Sequence, residues 1–478
     1  MHEAPWVVIG GGVAGLTAGL SLAAAGRPVM LFEAADRLGG CCCTMGWADR
    51  VFEPGASMIL GVGMLRETLG PLGVKLDAML GPLQPAVRVM WPGGERLDLL
   101  TGQGAAGTSP TLARDAEGLA AFVTYWSAVA RRLPAVLTQW QRQGITAAPQ
   151  LLPLLPSLLK PYRTAVRKCI RDPRLRQALE GFCPFYAGLP ARVAPAVFAI
   201  LPALAIQEGC YEVVGGIQRL PEHLAARLRE AGGQIHVGER VTRMVTSGPV
   251  VREVQTTHRV LRVAGVVAAV DLSITLGCLP RTMRLALART RAAVLRRSVS
   301  CCSLIGAEQG VADIAPITWV LPGSGDQADA TAAGSRRPAA MWPLAAVTAG
   351  PGEPGGRCVR LGGAVEVRPG GSLVSLADRD LKAELLSMAV GAGLDLDLVD
   401  MTFWAPQDYE TRLGLPAGAA FGFAGSRSQL GPARYGPKTP LRNLTVAGQS
   451  CFPGFGIPLA ALSGRLAAAT MLGPGMDD

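Results

Sequence analysis

Trp6-Val7-Val8-Ile9 leads directly into Gly10-Gly11-Gly12-Val13-Ala14-Gly15, and the reading of this stretch decides the fold. The four-residue apolar run, rich in β-branched residues and closed by glycine, has the pattern of a fully buried parallel strand. Leu16, Ala18, Leu20, Leu22 and Ala23 then continue at helical spacing until Gly26 ends the helix. Pro28 to Phe32 forms a second apolar strand with Glu33 at its carboxyl end. In a strand–turn–helix–strand unit of this kind Gly10 permits the tight turn, Gly12 lets a pyrophosphate approach the backbone, and Gly15 lets helix and strand pack closely. The helix N-terminus offers free N–H groups and the positive end of its dipole to the phosphates. Glu33 is placed to accept hydrogen bonds from ribose hydroxyls, and an acid there disfavours a 2′-phosphate. A GxGxxG alone is a weak signal, but strand, helix, second strand and acid in order make it a strong one.

Working outward, the uncharged run Ala4–Gly26 raises the question of a membrane span or a signal peptide. No positive segment precedes it, and Gly10-Gly11-Gly12 sits inside it, where each glycine costs a helix about 1 kcal/mol relative to Ala. The other apolar run, Val193–Gln207, is short and broken by Pro195 and Pro202. Neither a transmembrane helix nor a cleaved signal is expected. The 478 residues allow two to four domains at roughly 100–200 residues each. An apolar share of 49% with 17% charged residues is the composition of a chain with a large core. Net charge is +10 with a pI near 9.3. Nucleic acid ranks low as a partner, because aromatics make up 5% of the chain and no Lys/Arg run alternates with them. An anionic membrane surface ranks higher, given a mean hydropathy of +0.29. The eleven cysteines are odd in number and contain no CxxC, which fits buried thiols in a reducing compartment better than disulfides or zinc. The four histidines include no HExxH, so no metal site is expected.

After Glu33 the chain reads Ala-Ala-Asp-Arg37-Leu-Gly39-Gly40. This ExxxRxGG resembles the flavoprotein superfamily of amine oxidases and phytoene desaturases. The resemblance implies that Arg37, Gly39 and Gly40 extend an FAD pyrophosphate site, so the cofactor is FAD rather than NAD. At the other end, Leu444–Ser450 reads as a strand entering a turn, Cys451–Pro458 as a Gly/Pro loop and Leu459–Leu472 as an Ala-rich helix. Gly448, Ser450, Pro453, Gly454, Gly456, Ser463, Gly464 and Ala467-Ala468 resemble the closing motif of the carotenoid desaturases and carotenoid isomerases. Ser450-Cys-Phe-Pro-Gly454 and Gly55-Ala-Ser57-Met58-Ile-Leu-Gly61 are similar to the isomerase side. Gln449 departs from the family's Asp; that Asp bonds a ribityl hydroxyl, which a glutamine can do without the charge. Val213–Val241 matches the family's internal segment, in which Val241 contacts adenine through its backbone. Pro406, Tyr409, Gly414, Gly418 and Gly422 resemble the region before the last FAD motif. Residues 100–205 and 280–400 carry little motif information.

The expectation is therefore an α/β chain with a Rossmann-type FAD domain assembled from residues 1–75, 208–280 and 436–478. A helical, membrane-facing lobe (76–207) and a mixed-sheet substrate domain (281–435) complete it. The residues expected around FAD are Gly10, Gly12, Val13, Ala14, Gly15, Glu33, Ala34, Arg37, Gly39, Gly40, Val241, Gly448, Gln449, Gly456, Ile457 and Pro458; no motif residue marks a catalytic acid or base. The resemblance implies an oxidoreductase that desaturates a long acyclic isoprenoid polyene, with quinone or oxygen reoxidising the flavin. A redox-neutral carotene isomerase and a non-catalytic flavin or pigment binder stay open as alternatives. Leu151–Arg171, apolar bulk beside five cations, suggests peripheral attachment to the inner face of a membrane, its alternative being a buried helical hairpin with a solvated charged end. Cys41-Cys42-Cys43 reads as packing near the flavin rather than redox chemistry. Gly323–Gly334 and Asp477-Asp478 read as a solvated loop and tail.

Overall fold

The computed structural model describes residues 3–47, 50–102, 114–147, 149, 159–284, 297–308, 314–321, 342–346, 357–365 and 378–473. Strand β1 (Trp6–Ile9), helix α1 (Val13–Ala24) and strand β2 (Val29–Phe32) form the opening unit. β1 occupies the middle of a five-stranded parallel sheet ordered Gln234–His236, β2, β1, Gly265–Ala268, Leu444–Val446. Segments far apart in sequence thus build one sheet, whose three inner strands, β2, β1 and Gly265–Ala268, are short and apolar. Along β1 the side chains alternate as strand geometry requires. Val8 packs with α1, Arg219–Glu230 and the closing helix Ile457–Leu472, while Val7 and Ile9 face Val241, Met244, Val251 and Val254 of an antiparallel sheet.

Glycines set how closely α1 lies on its neighbours. A Cβ on Gly15 would sit 1.9 Å from the Gly10 carbonyl oxygen, and one on Gly464 would sit 2.1 Å from that of Ala14. Strand, helix and helix therefore stack at a spacing no larger residue allows.

The second body is a seven-stranded sheet ordered Leu398–Trp404, Ser300–Glu308, Arg357–Val365, Trp342–Ala346, Ile317–Val320, Val87–Met90, Arg96–Leu99. Its last two strands come from residues 76–207, which the sequence reading gave as helical. The hairpin Val87–Leu99 instead prolongs the sheet, with Val87, Val89, Leu97 and Leu99 buried under helices Ala116–Gln143 and Pro173–Ala187. Val193–Gln207 folds as a 3-10 turn and a short helix, Ile200–Gln207, with both prolines accommodated. Among the described residues no helix is long and apolar enough to cross a membrane.

Of Leu151–Arg171, residues 151–158 lie outside the described residues, as do Gly323–Gly334 and the acidic tail. Helix Tyr162–Cys169 turns Tyr162 and Val166 inward, and Arg163 and Arg167 both pair with Glu180, at 3.5 and 3.1 Å. Leu159 stands out, 62% exposed.

Candidate functional site: a cofactor and substrate cavity

A cavity of about 1080 Å3 runs between the parallel sheet and the seven-stranded sheet. That exceeds the roughly 300–1,000 Å3 of ordinary small-ligand pockets. Every residue expected around FAD lines it except Gly15, which lies beneath Gly10 and acts through packing.

One half is made of backbone. α1 begins at Gly12 and the closing helix at Gly456, neither with a side-chain cap, so both N-termini keep unpaired N–H donors facing the cavity. Gly39 N donates to the Gly11 carbonyl at 2.8 Å, which brings the Gly39–Gly40 turn against the first glycine loop. A Cβ on Gly12 would meet only Gly39 O at 3.9 Å, and one on Gly40 only Gly12 Cα at 3.6 Å, so the space between the two turns is left open. The Glu33 carboxylate accepts from Gly11 N at 2.6 Å and Ala35 N at 2.8 Å, which fixes its orientation at the cavity edge. Beside it, His236 stacks on Phe32 at 5.0 Å, and burial together with Arg259 holds the imidazole below its usual range.

The other half is made of side chains. Tyr186, Phe421, Phe455 and Phe198 form a continuous aromatic row, with centroid spacings of 5.7, 4.7 and 6.1 Å. Met58, Leu60, Leu133, Val136, Leu201 and Leu204 complete an apolar wall. Such a wall takes a long, flat hydrocarbon and offers it no water.

Charges are few and specifically held. Asp271, after strand Gly265–Ala268, is gripped by both terminal nitrogens of Arg297 at 2.8 and 3.0 Å. Burial pushes its carboxyl up, but the hydrogen bonds from Arg297 and Ser273 prevail and hold it below its usual value. Arg434, buried beneath Phe455, gives its guanidinium to the carbonyls of Gln429, Phe421 and Gln449. Arg360 rises from strand Arg357–Val365 into the cavity wall and donates through Nη1 to the carbonyls of Glu53 and Gly55. Burial pushes the neighbouring Glu53 up to about 7, although it accepts from Ile217 N at 2.6 Å. Cys41 and Cys42 line the cavity, and burial raises Cys41, Cys301 and Cys451 to about 12, 11 and 12. These thiols are protonated packing groups. Among the described residues no His/Cys/Asp/Glu group is arranged to hold a metal.

The sequence reading missed Tyr186, Phe198, Asp271, Arg360 and Phe421. Only Arg360 left a trace: a cation between Val359 and Leu361, inside a strand whose other charge, Arg357, stands at its end.

Residues 13–305 match the family model described as "Flavin containing amine oxidoreductase". The chain belongs to that family. It is 30% identical over 254 residues to a phytoene desaturase (lycopene-forming) from a Paracoccus species, a match covering 51% of this chain and about half of that protein. It is also 29% identical to a phytoene dehydrogenase from Streptomyces griseus, covering 98% of this chain and 95% of the relative. Among solved structures it is similar to putrescine oxidase bound to putrescine, with TM-score 0.64 and 15% identity over 98% of this chain and 99% of the other. FAD is the family's cofactor, and the cavity fits it. The uncapped helix termini, the open floor between the glycine turns and the fixed carboxylate of Glu33 match a dinucleotide's pyrophosphate and ribose in charge and hydrogen-bonding sense.

Proposed function

We propose that this flavoprotein is a desaturase that removes hydrogen from a long acyclic isoprenoid polyene. The observation that carries this is the cavity's continuity: the glycine-lined half opens directly onto the aromatic row Tyr186–Phe421–Phe455–Phe198. The names of the Paracoccus and Streptomyces relatives support the same substrate class. Bound FAD would supply the hydride acceptor.

The chain's own groups divide the remaining work. Gly10, Gly12, Val13, Ala14, Gly39 and Gly40 receive the pyrophosphate, with Gly15 keeping α1 close enough for them to do so. Arg37 neutralises it, Glu33 and Ala34 hold the ribose, and Val241 presents its backbone to adenine. Gly448, Gln449, Gly456, Ile457 and Pro458 bear on the ribityl chain and ring. The aromatic row aligns the substrate and excludes water. We assign residues 1–75, 208–280 and 436–478 to the FAD domain, 76–207 to a lobe that also lends its hairpin to the sheet, and 281–435 to the substrate domain. Quinone or oxygen is the proposed electron acceptor. Leu159 beside Lys160, together with the pI near 9.3, supports peripheral contact with an anionic membrane on its cytoplasmic side.

The test is product mass. FAD-loaded protein, incubated with liposomes carrying an acyclic carotene and a quinone, is expected to yield a product two hydrogens lighter. A product of unchanged mass but altered double-bond geometry, formed only after prior reduction, would replace this reading with the isomerase one. That alternative is favoured by the Gly55–Gly61 and Ser450–Gly454 resemblances.

A further inference from the structure

We propose that Arg360 is the counter-charge for the reduced flavin ring. Arg360 is 7% exposed, and none of the described residues forms an ion pair with it. Its Nη1 is taken by two backbone carbonyls, Glu53 O and Gly55 O, while its Nη2 has no hydrogen-bond partner among the described residues. The Glu53 carboxylate feels the Arg360 charge, which works against its upward shift, but accepts its hydrogen bond from Ile217 N and forms no ion pair with the guanidinium. A buried cation without a carboxylate is costly unless an anion completes it.

A comparison with the other buried cations sharpens the point. Arg88 is neutralised by Asp98 in a two-point pair, and Arg297 by Asp271. Arg434 gives both terminal nitrogens to three carbonyls, leaves its Nε unpartnered and stays behind the cavity wall. Arg360 alone of these four both lines the cavity and keeps a terminal nitrogen unused.

Its position selects the ring rather than the pyrophosphate. The glycine loops lie on the parallel-sheet side, and Arg37 reaches from them to the Arg412 carbonyl at 3.1 Å. Arg360 comes from the opposite sheet, beside Gly362, Gly363, Ser303 and Tyr409, and is tied to Gly55 at the start of the Gly55–Gly61 wall. That places it where the glycine-lined half meets the aromatic one. Transfer of a hydride breaks one substrate C–H bond and delivers two electrons and one proton to the ring, leaving it singly negative. The substrate's second hydrogen leaves as a proton that ends in the bulk solvent outside the cavity. A fixed cation at the ring stabilises that charge without reorganising.

This inference rests on FAD occupying the cavity and not on the identity of the substrate. The experiment is the midpoint potential of FAD-loaded wild type, R360M and R360K, measured by dye equilibration. R360M is expected to favour reduced flavin at least tenfold less, about 30 mV for a two-electron couple, while R360K stays within about threefold of wild type. An R360M midpoint equal to wild type with flavin still bound overturns the proposal, as does an R360K drop as large as that of R360M. Where R360M gives no folded flavoprotein, sulfite titration of the wild type decides, because the sulfite adduct puts the same negative charge on the ring. Bleaching of the bound flavin by millimolar sulfite supports the proposal, and a flavin indifferent to sulfite overturns it. Wild type that binds no FAD refutes the cofactor assignment itself, a separate result.

Discussion

The two halves of the cavity are built by opposite means. On the parallel-sheet side the ligand-facing surface is backbone: Gly10, Gly12, Gly39 and Gly40, with two uncapped helix termini. On the other side it is side chain: four aromatic rings, aliphatic residues and one buried guanidinium. The difference teaches what each half tolerates. A backbone surface depends on the absence of atoms at fixed positions, so single methyl groups break it. A side-chain surface depends on bulk and shape, which neighbours share, so single changes weaken it by degrees.

The largest effect is expected at Gly15. Gly15→Ala places a methyl 1.9 Å from the Gly10 oxygen, and loss of stability by about 3 kcal/mol or more, with loss of flavin, is expected in thermal melts and flavin analysis. A stable, yellow G15A would break the comparison. Glu33→Gln tests the side chain that the backbone half relies on. Removing the charge from a carboxylate that two N–H groups orient is expected to weaken FAD binding by roughly 10–100-fold in titration calorimetry, leaving substrate affinity unchanged.

Glu53 lies at the junction of the two halves, and its effect depends on pH. Its folded value, about 7, lies above its ordinary 4.5. The raised value favours the neutral form in the folded protein, so the stability it contributes is full below about pH 4.5 and lost as pH rises through 7. Glu53→Gln is therefore expected to match wild type near pH 4.5 and exceed it by about 3 kcal/mol at pH 8 in denaturant melts. Parallel curves across that window would refute the assignment.

On the side-chain half, Phe421→Ala removes one ring from the row and is expected to raise the KM for polyene about two- to tenfold with FAD still bound. A loss as abrupt as that of G15A would erase the contrast. The smallest effect is expected at Arg167, whose pair with Glu180 is 47% exposed on the arginine side and shared with Arg163. Arg167→Ala should change stability by less than about 0.5 kcal/mol.

The same contrast explains what the sequence disclosed. A backbone surface needs glycine at fixed spacing, so Gly10, Gly12, Gly15, Gly39 and Gly40 were legible as a pattern, along with the strand, helix and acid around them. The aromatic row was not. Tyr186, Phe198, Phe421 and Phe455 come from four separate segments, and only tertiary packing brings them into line. The hairpin Val87–Leu99 was missed for a related reason: its alternation is short, and its pairing partner lies more than 200 residues away at Ile317–Val320. Arg360 stood in plain view as a charge in an apolar strand, but nothing local says whether such a charge meets an acid, a carbonyl or a ligand.

The most direct test of the account is the anaerobic visible spectrum of the FAD-loaded protein before and after addition of liposomes carrying an acyclic carotene. The account predicts that the oxidised flavin band bleaches as the carotene gains conjugation. An unbleached flavin band beside an unchanged carotene would contradict it.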